Sequence, residues 1–115
     1  MLLWCARAAR GNLHKLSRTS GRYLRLFFEV HGLALQNPQL YGRYLEGAFT
    51  TWIELMEAIL PTTLSRAERR ALASLAVGTV VGLMLDYLSS GDKKRTSDAV
   101  AQFATAFDEL LRSKK

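Results

Sequence analysis

The chain has 115 residues, 49% of them hydrophobic and 23% charged, with a formal net charge of +6. That length supports one domain around a single core and excludes two independent ones, and the balance of apolar to charged residues excludes a disordered chain. The lone cysteine, Cys5, excludes an internal disulfide and a zinc pattern; it fits a reducing compartment, so a cytoplasmic location is expected.

Only two prolines, Pro38 and Pro61, punctuate the sequence. The long segments between them predict an all-α fold, an antiparallel helical bundle of about five helices. Residues 1–18 read as a basic N-terminal segment, a short helix or loop, and residues 19–115 as the helical domain. Leu2 to Ala9 is compatible with a short helix, and Leu13 to Leu16 with a further turn. Arg7, Arg10, Lys15, Arg18, Arg22 and Arg25 all precede the first acid, Glu29. Four readings of this leader stay open: a mitochondrial transit peptide, a segment lying on an anionic membrane surface, a short helix and loop whose cations are solvated, and the cut end of a larger parent chain.

Thr19 or Ser20 is placed to cap a second helix reaching about Gln36, in which Leu24, Phe27, Phe28, His31, Ala34 and Leu35 share one face. Asn37 and Pro38 read as an N-cap followed by proline at the first helical position. The third helix is then expected from Pro38 to Leu60, where Pro61 stops it. Its apolar set is Tyr41, Tyr44, Leu45, Ala48, Phe49, Trp52, Leu55, Met56 and Ile59, opposed by Arg43, Glu46, Thr50, Glu54 and Glu57.

Ser65 and Glu68 form a capping box, so a fourth helix starts at Arg66 and runs to about Ser89. From Ala71 to Leu85 this helix carries no charge. An uncharged run of about 15 residues falls short of the roughly 20 that span a bilayer, so no membrane span is expected. Such a helix requires cover from protein, and Ser74, Gly78 and Gly82 form a small-residue stripe on which another backbone approaches closely. Ser90 and Gly91 end the helix. Ser97, with Asp98 behind it, is expected to cap a fifth helix carrying Ala99, Val100, Phe103, Ala104, Phe107, Leu110 and Leu111.

No catalytic constellation assembles from these residues. His14 and His31 lie in different segments, and Gly78 to Gly82 sits inside a helix with no lysine following, so it is not a phosphate loop. The chain is therefore read as a non-enzyme with no metal site and no cofactor; an enzyme would need His31 to meet Glu54 or Glu57 in a cleft. The aromatic residues of the second and third helices either line a pocket for an apolar small molecule, with His31 as polar anchor, or fill the core. The basic clusters lack the order of a short helix, turn and second polar helix that a helix-turn-helix needs. A homodimer that pairs the fourth and fifth helices into a four-helix bundle is the expected partner state, against a monomer in which the fourth helix is central.

The segment from Tyr23 through Phe28, His31 and Gln36 to Asn37-Pro38 resembles the helix and Asn-Pro boundary in C-terminal regulatory domains of tetracycline-repressor (TetR) family transcription factors. Tyr44 to Leu60 is similar to the long amphipathic helix that follows in that family, and Gly78 to Asp86, with its Gly-Leu pair, is similar to the dimerisation helix. The resemblance covers about Arg18 to Leu111. It implies the effector-binding and dimerisation half of a one-component repressor without its DNA-binding head, so DNA would be reached only through a helix-turn-helix outside this sequence.

The resemblance further implies that Leu24, Phe27, Phe28, His31, Tyr44, Phe49, Trp52 and Met56 line a cavity for a hydrophobic effector. It implies that Leu75, Thr79, Gly82, Leu83, Phe103 and Phe107 pair the two copies. The alternative is a small helical interaction protein whose basic leader directs it to a mitochondrion or a membrane surface.

Overall fold

A computed structural model describes residues 21–114, and the expected leader helix, its following turn and the Thr19 or Ser20 cap lie outside the described residues. The fold is all-α, with no strand among the described residues. Among the described residues five helices follow one another: α1 (Gly21–Gln36), α2 (Gly42–Gly47), α3 (Thr50–Ile59), α4 (Arg66–Ser90) and α5 (Lys93–Ser113).

α1 ends where the sequence places its end, but Asn37 acts backwards. Its side-chain amide donates to the carbonyl of Leu33 at 3.1 Å, which satisfies an acceptor of the last turn of α1. The next residues form a tight turn, with the amides of Leu40 and Tyr41 donating to the carbonyl of Asn37 at 3.1 and 3.2 Å. Pro38 therefore does not open a helix, and α2 starts at Gly42.

The single helix expected over residues 38–60 is two helices. Ala48 and Phe49 separate them with backbone angles still close to helical. Gly47 carries the largest backbone entropy cost of any residue at this point, and the β-branched pair Thr50 and Thr51 follows it. The Thr50 hydroxyl donates to the carbonyl of Glu46 at 2.9 Å, a back-bond that competes with the backbone ladder. After the break Leu55, expected on the apolar face, is 63% exposed, whereas Ile53, Met56 and Glu57 are half-buried.

Leu60, which precedes Pro61, adopts the extended conformation that proline imposes on its predecessor. The capping serine is in place, since the amide of Glu68 donates to Ser65 Oγ at 3.2 Å. An ion pair between Arg70 and Glu57 at 2.6 Å ties the first turns of α4 to α3. Gly91 ends α4 with a φ of 71°, the left-handed conformation that suits glycine.

α5 is capped by Asp92 and not by Ser97. The Asp92 carboxylate accepts from the amide of Arg95 at 3.1 Å, so the helix begins at Lys93. Asp98 instead accepts from Lys94 one turn earlier, at 2.8 Å. This hydrogen bond raises the Lys94 pKa above its ordinary value.

Two compact units divide the chain inside α4. In Tyr23–Gly78 the buried apolar residues are Ala34, Leu60, Leu64, Leu72, Ala73 and Ala76. From Thr79 onward they are Val100, Ala104, Phe107 and Leu111, and Thr96 continues the same stripe of α5 at the helical spacing of four, four, three and four residues. Thr96 satisfies its hydroxyl locally on the carbonyl of Asp92 at 2.8 Å.

Candidate functional site

Two features stand out: a cluster of rings inside the first unit and an exposed face of α4. The rings come together because α1 repeats them at helical spacing and because Phe49, at the α2–α3 break, points its side chain back toward α1. Phe27 lies at the centre, with ring centroids 5.4 Å from Phe28, 5.6 Å from His31, 6.5 Å from Phe49 and 5.4 Å from Trp52. His31 lies 5.9 Å from Tyr44 and 5.5 Å from Phe49, and Phe49 lies 5.8 Å from Trp52.

Six of the eight residues expected around an effector are thus neighbours, and Leu24 and Met56 are half-buried. At these separations the rings are in mutual contact, many of them edge to face. They fill the space between them, so an apolar molecule enters only if rings move apart. His31 Nδ1 is buried with no hydrogen-bond partner, which leaves one polar atom among these rings for an entering group to satisfy. His31 is surrounded by rings rather than acids, and the Glu57 carboxylate is taken by Arg70. Among the described residues no group of three or more His, Cys, Asp or Glu is placed to hold a metal.

Two open depressions lie elsewhere. One of about 480 Å³ is lined by Gln36, Asn37, Pro38, Gln39 and Leu40, and one of about 510 Å³ by residues from Gln39 to Glu46, including Tyr44. The first sits on the turn after α1 and the second on that turn and α2, and both are open to solvent.

α4 is apolar along much of its length and only partly covered. It is 25 residues long, and only 17% of its most apolar stretch of 18 residues is buried. Its buried residues, Leu72, Ala73 and Ala76, all lie in its first half. Leu75 and Leu85 are 48% and 47% exposed. Gly82 is exposed, while Thr79 and Leu83 are half-buried. A Cβ built on Gly78 or on Gly82 meets no atom within 4 Å.

The expected pairing residues of α5 divide. Phe107 lies in the core at 1% exposure, its ring tilted against that of Phe103 with centroids 5.3 Å apart. Phe103 is half-buried. The sequence reading missed a second apolar stripe on α1, formed by Tyr23, Leu26, Val30 and Leu33, each of them exposed. Its three-four-three spacing was the available signal, hidden because the inner stripe interleaves with it.

Comparison with protein-family models, with curated proteins and with solved structures returns no match.

Proposed function

We propose that this chain is a self-associating regulatory module, the dimerisation and effector-sensing half of a TetR-type repressor, in which two copies pair through the exposed face of α4. The observation that carries this reading is the 17% burial of the most apolar stretch of α4. Apolar residues left uncovered on a helix, here Leu75 and Leu85, favour an interface, and an interface between copies resembles a core cut in half. Phe107 belongs to the core of each copy, so the pairing surface is α4 with Phe103 at its margin.

The ring cluster is the effector element of this reading. An apolar ligand with one hydrogen-bonding group would part the rings around Phe27 and engage His31 Nδ1. Transcription control would then follow from a DNA-reading domain joined to this one. Light scattering on the purified chain tests the pairing, with twice the chain mass of 12.9 kDa as the expected result.

One observation favours a second reading. α4 is long and apolar enough to cross a membrane. Its uncharged run from Ala71 to Leu85 covers only about 22 Å of helix against a hydrocarbon core of about 30 Å, and Asp86 closes that run in an ion pair with Arg95. Flotation with vesicles of anionic and neutral lipid separates the two readings, and recovery of the chain in the aqueous fraction supports pairing.

A further inference from the structure

The rings around Phe27 meet at steep angles. Phe27 crosses Phe28 at 72° and Phe49 at 79°, and Phe49 crosses His31 at 86° and Trp52 at 87°. Parallel rings would seal their faces against one another, whereas steeply crossed planes stand as walls, and a group that parts them meets ring faces on more than one side. The six side chains all belong to Tyr23–Gly78 and stay within reach of solvent. Phe27, Phe28, His31, Tyr44 and Phe49 are half-buried, and Trp52 is 38% exposed.

We propose that the effector of this cluster is an organic ammonium ion with apolar substituents and one N–H, a protonated tertiary amine being the simplest form. This deepens the effector role proposed above and rests on it. The face of an aromatic ring is the negative part of its quadrupole, so a positive charge among several faces is attracted and an anion is repelled.

The charges of the same segment have the sign a cation needs. From Tyr44 to Ser65 the chain carries Glu46, Glu54 and Glu57 and no Lys, Arg or His. Glu57 is taken by Arg70, while Glu46 and Glu54 are exposed and form no ion pair among the described residues. The cations nearest the rings in sequence, Arg25 and Arg43, are both exposed.

The buried Nδ1 of His31 supplies the third element, a polar atom with no hydrogen-bond partner. A neutral imidazole that carries its proton on Nε2 presents a lone pair at Nδ1, and the N–H of the ammonium donates to it. Ring faces and one acceptor together specify a ligand that a purely aliphatic core would reject, because a charge without such partners is costly to bury.

Titration calorimetry on the full chain tests this with three probes that share a benzyl group: benzyldimethylammonium, the neutral alcohol 2-methyl-1-phenylpropan-2-ol and the anion phenylacetate. The ammonium is expected to bind at least about fivefold more tightly than the alcohol, and phenylacetate more weakly than either. Phe27→Leu keeps an apolar side chain and removes a ring. It is expected to erase the preference for the ammonium while changing the affinity for the alcohol by less than about twofold. If circular dichroism shows that this variant does not fold, Trp52→Leu, at a site that is 38% exposed, is read the same way.

Equal or tighter binding of the alcohol or of phenylacetate would overturn the ammonium and leave an effector site standing. A preference for the ammonium that survives the loss of the ring would overturn its assignment to this cluster. Binding of none of the three at up to about 10 mM would overturn both the ammonium and the effector role.

Discussion

Arg95 grips Asp86 with a two-point fork, Nη1 to Oδ2 and Nη2 to Oδ1, each at 2.7 Å, and so ties the last turns of α4 to the first turn of α5. The same guanidinium reaches Ser90 Oγ at 3.2 Å and Asp92 Oδ2 at 3.4 Å. Planar two-point contacts hold orientation better than a lysine would, and this one brackets the turn at Gly91.

The fork has a pH signature. Hydrogen bonds from Arg95 hold the Asp86 carboxyl below its ordinary value of 3.8 and raise the Arg95 guanidinium in turn. A carboxyl depressed on folding adds stability that is complete above its unfolded value and is lost as the pH falls through the folded one. Thermal melts of Asp86→Asn and of the parent are therefore expected to differ most at neutral pH and to converge below about pH 4. A difference that persists undiminished at pH 2.5 would contradict the assignment.

Phe107 and Leu75 separate the core from the proposed interface. Phe107→Ala is expected to cost about 3–5 kcal/mol of stability in denaturant titration, the range for emptying a buried phenylalanine site. Leu75→Ala removes a side chain that is 48% exposed and leaves the stability of an isolated copy within about 0.5 kcal/mol. Its cost appears instead as a weaker dimer on dilution.

Gly91 is fixed by backbone conformation rather than by packing. With a φ of 71° and no atom within 4 Å of a built Cβ, Gly91→Ala pays only for the left-handed conformation, about 1–2 kcal/mol. The measurement is the midpoint of chemical unfolding, with the slope unchanged.

The ring cluster predicts an optical response. In a Trp4→Phe background, Trp52 emission is expected to shift when an apolar aromatic molecule bearing one hydrogen-bonding group is titrated in, and the thermal midpoint is expected to rise. Phe27→Ala opens the centre of the cluster and should change both responses. Unmoved emission and an unmoved midpoint across a panel of such molecules would sink the effector role.

Much of this architecture was legible from local chemistry. The Ser65 cap, the extended Leu60 before Pro61 and the left-handed Gly91 each depend on neighbours within a few residues, and each sits where the sequence puts it. The all-α class follows from periodicity, as do Leu24, Phe27, Phe28, His31 and Ala34 on the inner side of α1, whereas Leu35, expected on the same face, is 60% exposed. The failures lie where two local options compete. Asn37 had both a helix to finish and a helix to begin, and it bonds to Leu33 behind it. Asp92 and Ser97 are both good caps, and Asp92 prevails because Gly91 has already ended α4 immediately before it. The break at Ala48 and Phe49 was masked by an apolar pattern that continues across it.

The site was legible only in part. Ring composition and spacing on α1 point to a cluster, and the rings do converge on Phe27. Whether rings face one another or enclose a space depends on tertiary packing, which a one-dimensional pattern does not carry. The same limit applies to Phe107, whose spacing fits a pairing face and a core face equally well, while its burial at 1% comes from tertiary packing.

The central claim is that α4 is covered by a second copy, and the most direct measurement is the mass of the full-length chain by light scattering at tens of micromolar, alongside Gly82→Phe. The account predicts twice 12.9 kDa for the parent and a shift toward a single chain mass, or toward aggregate, for the variant. A parent that runs at 12.9 kDa, or a variant whose dimer mass is unchanged, would contradict it.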